Sequence, residues 1–161
     1  MKLFKIALLA AVVAAPAAAW AQVPPSGMPG IAVAGSVNDN SLPASAREFI
    51  SKYYPGQSPA SVEKNFIRND YDVRLVNGVE MEFNSKGSLS SIEAPDGTVL
   101  PDAVVKALLP DKAYRHLVEN GLAGYVDEIE LGRRGFEVGL LLPDPDEVVY
   151  TIEGEFISFD D

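Results

Sequence analysis

The chain has 161 residues, no cysteine, and 23 Asp and Glu against 13 Lys and Arg, which gives a formal net charge of −10. The lack of cysteine excludes disulfides, zinc sites built on thiolates and a lipid anchor on cysteine, so an apolar core must stabilise the fold. The acidic balance argues against binding to nucleic acid or to anionic membrane surfaces, because both attract basic proteins.

Residues 1–21 have the pattern of a secretory signal peptide. Two lysines precede the unbroken apolar run 6–15, and Ala19-Trp20-Ala21 places small residues at the two positions that signal peptidase reads. The apolar run is shorter than the roughly 20 residues that a membrane span needs. We therefore expect cleavage before Gln22, export to the periplasm or the medium, and no membrane insertion after cleavage.

Residues 22–40 are rich in Pro, Gly and Ser, show no hydrophobic period, and are predicted to form a flexible leader. A helix is predicted to begin at Leu42-Pro43, since proline suits a first helical turn, and to end before Pro55-Gly56. The apolar residues between these points recur at helical spacing: Ala46, Phe49, Ile50 and Tyr53.

The alternation of apolar and polar residues after this helix predicts a four-stranded antiparallel meander over 61–66, 71–75, 79–83 and 89–92. A two-residue Asn77-Gly78 loop would place Leu75 opposite Glu80, whereas a three-residue loop places Leu75 opposite Val79. We therefore predict the three-residue loop, with Gly78 in the left-handed conformation that it requires.

The same order of elements recurs in the second half of the chain. Two helices are predicted to begin at Pro101 and Pro110, and the second is expected to bury Ala113, Leu117 and Val118. Strands follow over 126–131 and 135–140, and Gly154 repeats Gly87. Val148, Tyr150 and Ile152 are interpreted as the counterparts of Val79, Met81 and Phe83.

The predicted fold is therefore α+β, with helices packed on one face of the sheet. It consists of two tandem copies of a helix followed by a four-stranded antiparallel meander, over residues 41–99 and 100–161.

The motif from Tyr71 to Phe83, with Asn77-Gly78 at its centre and Gly87 after it, resembles the PepSY-like family of exported bacterial proteins, also called β-lactamase-inhibitor-like proteins. The second copy keeps the pattern at Gly135-Phe136-Glu137-Val138 and departs from it where Leu142 to Asp146 replaces the Asn-Gly turn. The resemblance implies an α+β fold with helices on one face of a sheet. It transfers no catalytic residues, and it does not by itself imply inhibition of a β-lactamase.

Four polar groups have a functional and a structural interpretation. His116, the only histidine, aligns with Phe49 and is expected to pack or to lie on the surface rather than to bind a metal or assist a nucleophile. Alternating Glu80 and Glu82 are expected to form a solvated strand face rather than an acid–base pair. Arg133-Arg134 is expected to be ordinary surface charge rather than a site for carboxylate or phosphate.

The acidic loop between the prolines of the second copy is expected to be a solvated turn rather than part of a calcium site. Beside it, the parity of the strands points Leu141, Val149 and Ile157 away from the core face. Such residues either contact a partner, the other copy or a second chain, or are buried under the leader or a helix.

We predict a partner-binding surface that consists of Leu141, Val149, Ile157, Asp144, Asp146 and Glu147. The predicted function is a non-catalytic, exported binding or inhibitory module that acts on another envelope protein, with no cofactor and no metal. The alternative is an envelope protein that binds a cation or a small ligand through its acidic loops. A hydrolase is not favoured, because no set of nucleophile and base is visible.

Overall fold

The computed structural model describes residues 41–160, so the predicted signal peptide and leader lie outside the described residues. The three helices are α1 (Ala44–Tyr53), α2 (Asp102–Leu108) and α3 (Asp111–Glu119). The eight strands are β1 (Pro59–Asn65), β2 (Asp70–Leu75), β3 (Glu80–Phe83), β4 (Leu89–Glu93), β5 (Val126–Leu131), β6 (Gly135–Leu140), β7 (Glu147–Thr151) and β8 (Phe156–Asp160). None of the helices within residues 41–160 is long and apolar enough to cross a membrane.

All eight strands form one antiparallel sheet, and their spatial order is their order along the chain. The two predicted meanders are joined where β4 pairs with β5 and Ile92 lies opposite Ile129. The prediction of an α+β fold built from two helix-plus-meander copies is therefore confirmed, and the two copies share a single sheet.

The hairpin of β2 and β3 has the predicted three-residue loop. Val73 lies opposite Met81, and the N–H of Leu75 donates to the carbonyl of Val79 at 2.8 Å. Gly78 has φ +91°, the left-handed conformation that this loop requires.

The matching hairpin of β6 and β7 has a different register from the one predicted. Val138 lies opposite Val148, and Phe136 lies opposite Tyr150, so Val148 and Tyr150 take the places of Met81 and Phe83 in the first copy. The predicted correspondence was therefore wrong by two residues. Ile152 lies exposed in the turn after β7 rather than in the core.

The longer loop of the second copy explains this shift. The N–H of Leu140 donates to the carbonyl of Asp146 at 2.7 Å, as Leu75 donates to Val79 in the first copy. Asp146 therefore occupies the place of Val79, and the apolar pattern of β7 begins only at Val148.

The helices pack on the face of the sheet that carries the buried side chains. The apolar side of α1 contributes the buried residues Ala46 and Ile50, and the apolar side of α3 contributes Ala113 and Leu117. Val118, which was expected in the core, is exposed. It lies about 100° around the helix axis from Leu117, and this rotation takes it off the apolar side.

Two glycines allow the helices to approach the sheet closely. Gly87 and Gly154 lie in the turns before β4 and β8, with φ +79° and +81°. A Cβ atom on Gly154 would lie 2.8 Å from Cβ of Pro110 and 3.0 Å from the backbone nitrogen of Ala113, at the start of α3. A Cβ atom on Gly87 would meet the start of α1 in the same way. This shared arrangement supports the tandem interpretation. None of the helices in residues 41–160 packs on the opposite face of the sheet.

Candidate functional site

The open face of the sheet carries the outward side chains of all eight strands, and the register arranges them in two rows. The first row runs across the strands as Ser61, Arg74, Glu80, Glu93, Glu128, Gly139, Glu147 and Asp160. The second row runs as Glu63, Asp72, Glu82, Ser91, Glu130, Glu137, Val149 and Ser158. Each row holds five carboxylates, and Arg74 is the only base in either row. We call this surface the acidic face.

Loss of hydration, and after it the crowding of like charge, raises pKa values on the acidic face. The pKa of Glu128 is raised above its ordinary value by partial loss of hydration and then by the charges of Glu93 and Glu130. Partial loss of hydration also raises the pKa of Glu147, and the neighbouring carboxylates add to the effect. A positive partner that approached these groups would relieve this repulsion.

The half of the acidic face that belongs to the first copy contains a depression of about 350 Å³. Carboxylates from five neighbouring strands line it: Glu63, Asp72, Glu82, Glu93 and Glu128. Arg74 also lines it and is ion-paired with Glu80 across the hairpin, as the predicted register requires. The solvated-face interpretation of Glu80 and Glu82 is confirmed, since both side chains are about half exposed.

The turn between β1 and β2 adds an apolar tip to one end of the acidic face. Phe66 and Ile67 are the two most exposed large hydrophobic residues of the described chain, with exposed fractions of 81% and 97%. The side chain of Asn65 shapes the turn by accepting the N–H groups of Ile67 at 3.0 Å and Arg68 at 3.1 Å.

Arg68 connects this tip to the acidic face. Its guanidinium lies 3.0 Å from the carboxylate of Asp70, 3.9 Å from that of Asp72 and 4.0 Å from that of Glu82. The pKa values of Asp72 and Glu82 are nevertheless raised, because loss of hydration and the other carboxylates outweigh Arg68.

The second row of the acidic face loses its negative charge at β7, where Val149 takes the place that Glu82 holds in the first copy. Val149 and Ile157 line a groove of about 330 Å³ together with Arg133 and Arg134. The outward direction predicted for Val149 and Ile157 is confirmed, and Ile157 is more than half exposed rather than buried.

The structure does not bring all six predicted partner-binding residues together. Leu141 is exposed just beyond β6, four residues from the position opposite Val149, which is about 13 Å along the strand. Asp144 lines a groove with Leu122 and Phe159 on the helix side of the sheet. Glu147 lies on the acidic face, and Asp146 is exposed in the loop. Their role in binding stays a prediction.

His116 has the predicted packing role. Its Nδ1 lies 3.0 Å from the hydroxyl of Tyr150, and its ring stacks on Phe156 at 4.8 Å. In the first copy Phe49 packs against Phe83 at 6.1 Å, so the alignment of His116 with Phe49 is confirmed. Within residues 41–160, no group of three or more His, Asp or Glu side chains is placed to hold a metal ion.

Of the carboxylates on the acidic face, only Glu80, Glu82 and Glu147 were predicted from the sequence as candidates for a functional or solvated surface. Its further members Glu93, Glu128, Glu130 and Glu137 belong to three strands that pair across the junction of the two copies. The signal in the sequence for this surface was the frequent acidic residue at outward positions of the predicted strands. The alignment of these positions into continuous rows depends on the pairing of β4 with β5.

A family model described as "Putative beta-lactamase-inhibitor-like, PepSY-like" matches residues 32–91 and again residues 69–158. The chain belongs to the PepSY-like family. The family description names no catalytic activity, and no curated protein matches this PepSY-like chain.

Three solved structures share the PepSY-like fold of this chain, and each covers 78% of it. A "putative periplasmic protein of unknown function" from Bacteroides vulgatus is 30% identical, with 97% of that chain covered and a TM-score of 0.64. A second "putative periplasmic protein" of that species, from the DUF2874 family, is 24% identical, with 94% covered and a TM-score of 0.62. A "putative calcium-regulated periplasmic protein" from Bacteroides thetaiotaomicron is 23% identical, with 94% covered and a TM-score of 0.62.

Proposed function

We propose that this PepSY-like chain is an exported, non-catalytic module that binds or inhibits another envelope protein, and that the acidic face docks on a basic surface of that partner. The two rows of carboxylates carry this proposal. Ten acids on one face of a sheet repel one another, and a complementary positive surface both relieves the repulsion and steers association.

The exposed apolar tip of Phe66 and Ile67 favours a protein as the partner of the acidic face, rather than loosely held counterions. Affinity in protein interfaces is concentrated in a few apolar or aromatic anchors, while surrounding charges give specificity and speed of association. The tip is held in place by Asn65 and is tied to the acidic face by Arg68. The partner should therefore present an apolar cleft bordered by Lys and Arg.

Affinity capture from an envelope extract tests this docking surface. The bait is the exported chain, compared with the variant Glu93→Gln, Glu128→Gln, Glu130→Gln and with a control that has the same charge change on the helix side, Glu48→Gln, Glu119→Gln, Glu153→Gln. We expect the control to retain the captured protein and the acidic-face variant to lose it, with weaker capture as salt is raised. Equal capture by both variants would reject the acidic face as the docking surface.

Export is proposed on two grounds, the signal-peptide pattern of residues 1–21 and the description of the solved neighbours as periplasmic. N-terminal sequencing of the secreted or periplasmic form should return Gln22 as the first residue. A mature protein that begins at Met1 would contradict this proposal.

A divalent cation is the second candidate ligand. It is favoured by the raised pKa values on the acidic face and by the fold shared with a protein described as calcium-regulated. A specific calcium site should raise the melting temperature more than magnesium at equal ionic strength, by an amount that depends on the cation concentration relative to its dissociation constant. Equal effects of the two cations would show screening of charge instead of a site.

A further inference from the structure

The last strand of the sheet has an unprotected edge. Within residues 41–160, β8 pairs with β7 on one side only, so backbone N–H and C=O groups on its other side have no strand partner there and can pair with another strand. Three of its five residues are large, apolar and partly exposed: Phe156 at 42%, Ile157 at 54% and Phe159 at 45%. Exposed apolar residues on an open edge are the usual sign of a strand that associates with another one.

The opposite edge of the sheet is protected. β1 begins with Pro59, its pairing is interrupted by a bulge after that residue, and Glu63 and Lys64 place exposed charges along it. Proline, bulges and charged side chains are the devices by which natural sheets prevent pairing at an edge. β8 has a bulge but a single charge, Asp160, at its end. The difference makes β8 the edge that is suited to pairing.

The apolar side chains of β8 lie on both faces of the sheet. Phe156 and Phe159 lie on the helix side, opposite Tyr150 and Val148, with their rings 4.8 Å apart. Ile157 lies on the open side, in the groove with Arg133 and Arg134. A strand that paired with β8 would therefore cover apolar surface on both faces at once.

The two ends of β8 carry opposite charge on the open side. Arg133 and Arg134 lie near its beginning, and neither has an ion-pair or hydrogen-bond partner within residues 41–160. Asp160 lies at its end, opposite Glu147, where two carboxylates face each other across the strand pair. Glu155, the residue before β8, is ion-paired with Lys112, so the two arginines give the beginning of β8 its net positive charge. An antiparallel neighbour with the same charge pattern would bring its Asp160 toward that positive end.

We propose that two copies of this chain associate about a two-fold axis through antiparallel pairing of their β8 strands, which continues the sheet from one copy into the other. The second copy is the partner whose charge pattern fits. Phe156 of each copy lies opposite Phe159 of the other on the helix side. In the same register Asp160 of each copy lies opposite Glu155 of the other, whose charge is paired with Lys112, and beside the open-side groove that holds Arg133 and Arg134. Every contact occurs twice because the interface is symmetric.

The exposed area predicts a weak dimer. Three side chains that each expose roughly half of about 150–250 Å² would bury on the order of 500–600 Å² in total across both copies. A stable interface buries about 1,200–2,000 Å². The dissociation constant should therefore lie at about 10 µM or above, a range that sedimentation equilibrium measures directly.

Sedimentation equilibrium of the chain from which the signal peptide has been removed, from about 5 µM to about 1 mM, tests the proposal without any other partner. We expect reversible dimerisation. Phe159→Lys should raise the dissociation constant at least about tenfold, because it places a charge at the centre of the apolar contact. Val76→Lys is the control. It makes the same kind of change at a residue that is 66% exposed in the loop between β2 and β3, and this variant should dimerise as the wild type does.

A charge exchange tests the antiparallel arrangement. Arg134→Glu should weaken the dimer, and adding Asp160→Arg should restore it, because the pair changes sign together. Circular dichroism is used to test whether each variant folds. If Phe159→Lys unfolds, Ile157→Lys replaces it. A wild type that is monomeric at the highest concentration, edge variants that dimerise like the wild type, or a charge exchange that does not recover association would each overturn the proposal. Because no envelope partner is present, these outcomes are independent of the function proposed above.

Discussion

Replacement of Gly154 by alanine isolates the close approach between α3 and the sheet. The residue has φ +81°, and an added Cβ would lie 2.8 Å from Cβ of Pro110 and 3.0 Å from the backbone nitrogen of Ala113. Gly121 provides a matched control, since it has φ +72° but no heavy atom within 4 Å of its added Cβ. Both substitutions meet the same left-handed backbone, and only Gly154→Ala also pushes a helix away from the sheet.

The expected magnitudes follow from these two contributions. A non-glycine residue in the left-handed region costs about 1–2 kcal/mol, and both variants should lose this amount of unfolding free energy. Overpacking against backbone that cannot move freely adds about 1–3 kcal/mol for Gly154→Ala alone. For a domain of this size, that additional loss corresponds to a melting temperature lower by roughly 3–10 °C than that of Gly121→Ala.

Urea denaturation followed by circular dichroism measures both free energies, with thermal melts as a second measurement. Equal destabilisation by the two variants would refute the reasoning, because the left-handed backbone would then account for the whole effect. A larger loss for Gly121→Ala would show that α3 rests on the sheet differently from the arrangement described here.

Three further predictions concern the first copy and the acidic face. Gly78→Val should lower the unfolding free energy by about 1–2 kcal/mol, because a β-branched residue resists positive φ, and an unchanged denaturant midpoint would contradict the three-residue loop. Tyr54→Phe should raise it by about 1 kcal/mol, because the buried hydroxyl has no hydrogen-bond partner among residues 41–160 and burial raises its pKa to about 12; a clear loss of stability would show a partner for that hydroxyl. The raised pKa values of Glu82, Glu128 and Glu147 mean that the folded state binds protons more tightly than the unfolded state. Protonation of these groups therefore stabilises the fold fully below their pKa values in the unfolded state. This stabilisation is lost as pH rises through their pKa values in the folded state. The melting temperature should therefore rise as pH is lowered from neutral toward the ordinary glutamate pKa of 4.5, and a steady fall over this range would contradict the prediction.

Local pattern predicted most of the elements, and the failures occur where spacing stops being local. The parity of Leu75 and Val79 around Gly78 determined the first hairpin, because a short loop ties register directly to sequence. The loop before β7 is longer, so its length did not reveal that Asp146, rather than Val148, takes the place of Val79.

The acidic face could not be predicted from local pattern for the same reason. Its rows continue from one copy into the other only because Ile92 pairs with Ile129, and α2 and α3 lie between these two residues in the chain. Leu141 illustrates a related error, since parity gave its direction correctly but not its distance from Val149 along the strand. The residues that faced outward could be predicted from the sequence, whereas the neighbours that they meet depended on the sheet as a whole.

The strictly sequential order of the strands has a consequence for how the chain acquires its structure. Each strand pairs only with its immediate neighbours in the chain order, and only the pairing of β4 with β5 must wait for two helices to be added. Contacts that are close in sequence close small loops and form quickly, whereas distant pairings are slow. A polypeptide that emerges progressively from a secretion channel, N-terminus first, could therefore add β2 to β1, then β3 to β2, and so on to β8. In such a chain, the growing sheet always presents its most recently formed strand as the template for the next.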